Sequence, residues 1–521
     1  PRRRGTRRAP PRGAGPGPRG PPPGGARAGP PAPAMPRRPA EAPREASCAF
    51  ADEVARACLA ALGPEALAEV AGPGRQGVVA GFVLTRGGGA GGGSPRKRPR
   101  EEAASSRGPP PFAVAVGTGT KFLPNALLSG PGARTGRLVR DCHAEVVARR
   151  ALKRFLLREV RRAAPGGGGS EVLEESPQAE GRFRLRPGLS LHFYSSSQPC
   201  GNACLKRWAK GGRGGAHTDL PPGEWPRGAH DRLHVTARDE GQVALLVKRD
   251  GSAGGARAAP ATADRDCDRD GSARVSCGRG GVVPPGAVAL AEAPECGQTM
   301  TCSDKIARWN ALGVQGALLA QLLEAPLQLS TITVGRKFSQ RHCMRALCCR
   351  LQDFRPENPR LRGSLPPGYG ICHPSMLCAA TRLDEGSMEA PAEGGGGAWA
   401  AFGDGPSLVW ARGDCRPDRV DGLTGVSEAQ ADGVSTVAKV TLFALFRDAV
   451  EAASRGRWSL PAGLTYRAAK DRAGAYAAAR EALLGDERLF GGWVSADPLL
   501  EAFRCPLRSP AGAEGLREPF H

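Results

Sequence analysis

Four residues in this chain have the types and spacing to do hydrolytic chemistry: His143, Glu145, Cys200 and Cys302. An imidazole and two thiolates can hold a zinc ion in three positions and leave a fourth open, which is how a catalytic zinc is bound. Water in the open position would lose a proton near neutral pH. Glu145 stands two residues after His143, within reach of that water, and a carboxylate there can carry its proton to a substrate. Cys204 is a rival third ligand, because it follows Cys200 at a C-x3-C spacing. Spacing alone also leaves open a structural ion or coincidence.

The elements around these residues are legible. Phe112–Val116 reads as a strand, followed by the turn Gly117-Thr-Gly-Thr-Lys121. Apolar positions 144, 147, 148, 151, 152 and 155 follow helical spacing, so His143 and Glu145 belong to the first turn of a helix. Leu189–Tyr194 reads as a strand that delivers Pro199-Cys200-Gly201. Ser303 to about Glu324 reads as a helix that opens beside Cys302, where free N–H groups favour a thiolate. Leu327–Val334 reads as a strand, and helices follow from about Val434 to Trp493. Phe50–Leu67 reads as one or two short helices. Alternating strands and helices predict an α/β fold in three layers.

Composition limits how much of the chain folds. The 521 residues include 73 Gly and 48 Pro, concentrated in blocks that cannot bury a core. Residues 1–45 are read as an Arg/Pro/Gly-rich tail, 86–110 and 209–290 as low-complexity insertions, 385–405 as a loop and 504–521 as a C-terminal tail. Met35 is a candidate start. Residues 1–45 hold eleven Arg against two Glu, yet the remainder of a chain of net charge +22 stays basic. A polyanionic partner, nucleic acid first, is expected. Pro95-Arg-Lys-Arg-Pro-Arg100 is a candidate nuclear-localisation or RNA-contacting patch. The 16 Cys form no regular framework, and neither a signal peptide nor an apolar run of bilayer length is seen. An intracellular setting, in nucleus or cytoplasm, is expected, with no membrane and no obligate protein partner.

An H-x-E followed by a later P-C matches the pattern of zinc nucleobase deaminases. Longer runs carry a more specific resemblance: Gly117-Thr-Gly-Thr-Lys121, Asp141-Cys-His-Ala-Glu-Val-Val-Ala-Arg-Arg150, Ser195-Ser-Ser-Gln-Pro-Cys-Gly201, and Thr299-Met-Thr-Cys-Ser-Asp-Lys-Ile-Ala-Arg-Trp-Asn310 with Gly313-Val-Gln-Gly316. They resemble the adenosine deaminases acting on RNA, and the tRNA-acting branch most. The resemblance spans about 110–503, interrupted by 209–290. It implies a cytidine-deaminase-like mixed sheet with helices on both faces. It makes Cys302, not Cys204, the third zinc ligand and Glu145 the catalytic proton carrier, with Asp141 behind the metal. It implies adenosine-to-inosine conversion in tRNA, at position 37 beside the anticodon of an alanine tRNA. Residues 1–110 are too Pro/Gly-rich to supply a double-stranded-RNA-binding domain.

The same resemblance implies that the C-terminal helices enclose inositol hexakisphosphate. Arg149, Arg150, Thr299, Lys305, Arg308, Trp309, Lys439, Tyr466, Lys470, Tyr476, Arg480 and Trp493 stand at the positions expected to bind it, and Thr120 and Lys121 at positions expected to contact the nucleotide. So many cations on core-facing helices would be intolerable without a buried polyanion. Three residues depart from the usual pattern: Arg140 where Asn is usual, Asn202 where Asp is usual, and Ala317 where some members carry Ser.

Overall fold

The computed structural model describes residues 44–71, 77–87, 109–123, 127–128, 130–204, 297–351, 365–381, 405–457, 459–485, 490, 493 and 497–504, with the backbones of three strands between 234 and 276. The candidate patch Pro95–Arg100 and the loop expected at 385–405, apart from residue 405, lie outside them.

Seven strands form one mixed sheet. In chain order these are β1 (Val79–Arg86), β2 (Phe112–Thr118), β7 (Leu189–Ser197), β12 (Thr331–Arg336), β13 (Ser375–Cys378), β14 (Ser407–Ala411) and β15 (Asp418–Val420), arranged β13-β12-β7-β1-β2-β14-β15. β7, β12 and β13 run parallel to one another, whereas β1, β2, β14 and β15 continue from β7 antiparallel. Short pairs flank this sheet: β3 (Thr120–Phe122) with β4 (Asp141–His143), and β5 (Leu173–Glu175) with β6 (Phe183–Leu185).

Helices cover both faces, as a three-layer fold requires. β1 is buried almost throughout, because alternate side chains enter two different cores. Val79 and Val83 pack under α1 (Arg44–Ala71), which is kinked at Gly63-Pro64. Ala80, Phe82 and Leu84 face the opposite way, into the core with Val147, Ala151, Leu152 and Phe155 of α2 (Ala144–Ala163). α2 lies so close to β2 that a Cβ on Gly117 would stand 2.5 Å from Ala148 N and 2.8 Å from Ala144 O.

Two expectations need correction. The helix expected from Ser303 to Glu324 is broken: α3 (Cys302–Leu312) stops at Gly313, whose φ of 77° a helix cannot continue through, and α4 (Gly316–Leu319) is a short separate turn. The following strand starts at Thr331 rather than Leu327. Within the stretch 209–290, β8 (His234–Asp239), β9 (Gln242–Val247) and β10 (Arg274–Ser276) form a small sheet with β11 (Gly297–Met300).

The remaining helices are α5 (Gln340–Leu347), α6 (Lys439–Ala453), α7 (Tyr466–Asp471) and α8 (Gly474–Leu484). Among the described residues, no helix is long and apolar enough to cross a membrane.

Candidate active site

His143 is the last residue of β4 and the N-cap of α2, so its position is set by two elements at once. The Phe122 ring stacks on its imidazole, with centroids 5.8 Å apart. Nδ1 donates to Asp141 Oδ1 at 2.8 Å, which leaves Nε2 as the nitrogen for a metal. Glu145 follows in the first turn of α2 and is buried.

Cys200 comes from the loop after β7, and Cys302 opens α3. Thr301 caps α3, accepting from Asp304 N. The two cysteine segments are tied together: Ser303 N donates to Cys200 O at 3.0 Å, and Cys302 N to Cys200 Sγ at 3.3 Å. Gly201 is what permits this approach. Its φ is 95°, and a Cβ there would meet Thr301 Oγ1 at 2.1 Å.

The donor atoms of His143, Cys200 and Cys302 lie within 4.8 Å of one another. Glu145 Oε2 is 3.2 Å from Cys302 Sγ, at the edge of this cluster. A hydrogen bond from the Cys302 thiol and the neighbouring imidazole pull the Cys200 thiol down to about 7, against its burial. One imidazole and two thiol groups with a carboxylate alongside fit a tetrahedral zinc with one open position. The sequence alternative Cys204 lies in the short 3-10 turn Asn202–Cys204.

Behind His143, Asp141 divides its two oxygens. Oδ1 holds the imidazole, and Oδ2 accepts from Thr299 Oγ1 at 2.9 Å and from Lys305 Nζ. Burial opposes its ionisation, but Lys305 and His143 outweigh burial and hold it well below the usual carboxylate range.

Lys305 opens onto a cavity of about 350 Å³. Every residue expected to bind an inositol phosphate lines it: Arg149 and Arg150 from α2, Thr299 from β11, Lys305, Arg308 and Trp309 from α3, Lys439 from α6, Tyr466 and Lys470 from α7, Tyr476 and Arg480 from α8, and Trp493. Arg140 and Ala317, two of the departures, line it too. Sequence reasoning missed Lys153, Arg467 and Glu501. Lys153 carried a signal, since it lies four residues beyond Arg149 on the same helical face.

Ten cationic side chains therefore share one cavity with three carboxylates. Burial and the cations around it push Lys153 far below the ordinary lysine range. Burial lowers Lys439 to about 8 despite Glu501, and Arg149 to about 10. Tyr476 is lowered against its burial by Arg308 and Arg149. Burial and mutual repulsion thus press Lys153, Lys439 and Arg149 toward neutrality, a penalty that an anion in the cavity would relieve.

Thr120 and Lys121 form part of β3 rather than a loose turn, with Thr120 paired to His143 and Lys121 to Cys142. Lys121 is buried, which sets it apart from a general surface cation. Asn202 is also buried and accepts from Arg345 through its side chain at 3.1 Å and its backbone at 2.7 Å.

A His-Cys-Cys cluster at two helix starts with a carboxylate on one of them, set against a mixed sheet, defines the class of hydrolytic nucleobase deaminases. The match to known proteins is more specific. The chain belongs to the adenosine-deaminase (editase) domain family, which matches residues 115–497, and it is an adenosine deaminase. It is 28% identical over 465 residues to tRNA-specific adenosine deaminase 1 of Homo sapiens, covering 75% of this chain and 88% of that protein. It is 30% identical over 239 residues to the double-stranded RNA-specific adenosine deaminase of Rattus norvegicus, covering 46% of this chain and 17% of that protein. Against the double-stranded RNA-specific editase Adar of Drosophila melanogaster it is 27% identical over 313 residues, 60% of this chain and 37% of that protein.

Proposed function

We propose that this chain is a zinc-dependent hydrolase that converts adenosine to inosine in tRNA, at position 37 beside the anticodon of an alanine tRNA. The observation that carries the chemistry is the convergence of His143, Cys200 and Cys302 within 4.8 Å, with Glu145 against Cys302. The tRNA assignment rests on the tRNA-specific relative, matched over 88% of its own length.

His143, Cys200 and Cys302 would hold the zinc, which when bound supplies a strongly nucleophilic water near neutral pH. Glu145 takes a proton from the attacking water and returns it to the purine, so that ammonia leaves and a carbonyl replaces the amine. Asp141 keeps the His143 ring turned so that Nε2 faces the two thiolates. At the pair β3–β4, the half-buried Thr120 and the buried Lys121 are the groups assigned to the ribose and phosphate of the flipped adenosine.

Inositol hexakisphosphate is the ligand assigned to the second cavity. It would be held by Arg149, Arg150, Lys305, Arg308, Lys439, Lys470 and Arg480, with Thr299 and the aromatic residues Trp309, Tyr466, Tyr476 and Trp493 around it. Its role is structural: neutralising the cations lets α6, α7 and α8 close over α2 and α3.

Inosine mapping on total tRNA after incubation with the purified protein tests the reading. Inosine at position 37 of alanine tRNA is expected, and absence of tRNA inosine from zinc-containing protein overturns the substrate. A second reading, editing of double-stranded RNA by the same chemistry, has the 30% identity to the rat enzyme in its favour. Competition between duplex RNA and tRNA separates the two.

A further inference from the structure

A second cluster of soft donors lies away from His143, Cys200 and Cys302. Cys348 and Cys349 follow α5, and His373 precedes β13. Their donor atoms also lie within 4.8 Å of one another. We infer that Cys348, Cys349 and His373 supply three ligands of a second zinc site, with water as the fourth, which clamps the segment buttressing both cysteine ligands of the active centre.

The geometry is close to what a metal needs. Two thiolates on a tetrahedral zinc, each with a bond of about 2.3 Å, stand about 3.8 Å apart. Cys348 Sγ and Cys349 Sγ are 3.6 Å apart, and Cys349 Sγ is 4.0 Å from His373 Nδ1. Both cysteines are buried while His373 is exposed, so an ion could enter from the surface side. Two thiolates and an imidazole select zinc or another borderline-soft ion over calcium or magnesium.

The two arms of the cluster are already held in register. Asn310 of α3 donates through Nδ2 to Leu347 O at 3.2 Å and to Cys372 O at 2.7 Å. Those carbonyls belong to the residues just before Cys348 and just before His373. One buried amide therefore fixes both backbones where they present their donors.

The cluster contains no carboxylate, so it lacks the proton carrier that Glu145 supplies elsewhere. Its position points to a mechanical role instead. Arg345, three residues before Cys348, holds Asn202, which is two residues after Cys200. Arg350, one residue after Cys349, holds Asp304, which is two residues after Cys302. An ion at Cys348 and Cys349 would anchor the short stretch from which both arginines reach the active centre.

The test counts zinc in the full-length protein, purified under reductant, by elemental mass spectrometry. Two ions per chain are expected in the wild type, and one each in the Cys348→Ser/Cys349→Ser, His373→Ala and His143→Ala variants. A single ion in the wild type that is lost in His143→Ala, or two ions in the double serine variant, overturns the proposal. Because the serine variants could misfold, native alkylation gives a second measurement on unaltered donors. Chelator should accelerate modification of Cys348 and Cys349, in the wild type and in His143→Ala alike. Rates unchanged by chelator, or a disulfide joining the two cysteines, would sink the idea. The His143→Ala background keeps this outcome separate from any failure of the deaminase reading.

Discussion

Arg350→Ala should be the most damaging single change near the metal centre that leaves every donor in place. Arg350 Nη2 lies 2.5 Å from Asp304 Oδ1, with side chains 1% and 0% exposed. Truncation leaves a carboxylate sealed from water beside the start of α3. Breaking a buried pair from one side costs about 3–5 kcal/mol. The guanidinium also sits 5.1 Å from the Phe490 ring, a contact that adds about 1 kcal/mol. We therefore expect a loss of about 4 kcal/mol or more, read as a lower denaturant midpoint. The double variant Arg350→Met/Asp304→Asn removes both charges and should recover most of it, to within about 2 kcal/mol of wild type, because the penalty comes from a buried charge that has lost its counter-ion. Equal losses in the single and double variants would refute this reasoning, since packing alone would then account for the effect. Zinc content measured on the folded single variant should fall too, because Asp304 shares the cap of α3 with Thr301.

Other outcomes follow from the same geometry. Glu145→Gln should lower deamination by about 10²–10⁴-fold with metal content unchanged, checked by inosine formation and elemental analysis together. Asp141→Asn should weaken zinc affinity by about 10–100-fold in competition with a chelator, since the imidazole loses its orienting acceptor. Lys439, lowered to about 8, holds its proton less firmly folded than unfolded. Between that value and the free-lysine range near about 10.4 the unfolded chain binds more protons, so stability of the ligand-free protein should rise with pH there. Added inositol hexakisphosphate should reverse that slope by favouring the charged lysine, and thermal melts at both ends of the window check it.

Much of the centre could be read from residue order because each donor sits at a local landmark. His143 begins a helix and Cys200 follows a strand, each visible within a few residues, whereas Cys302 was told apart from Cys204 only by the family resemblance. The break in the helix after Leu312 was less legible, since the apolar pattern runs on across Gly313. β1 was missed although its sequence, VAGFVLTR, is rich in strand formers. It is buried on both faces, so it shows no alternation to distinguish it. Lys153 and the pair Cys348–Cys349 with His373 depend on contacts between distant segments, which spacing along the chain does not encode. The cations of the second cavity came from resemblance, and their shared burial is a property only the folded chain has.

The absence of a side chain at Gly117 governs more than packing. It lets α2 rest directly on β2, and α2 carries His143 at its N-cap and Glu145 in its first turn. Any side chain at that position would lift the helix end as one rigid body. The imidazole and the carboxylate would keep their mutual spacing, but both would part from Cys200 and Cys302, which ride on other elements. The centre is thus vulnerable to a parallax error: every chemical group intact and correctly paired with its neighbour in sequence, yet the two halves focused on different points.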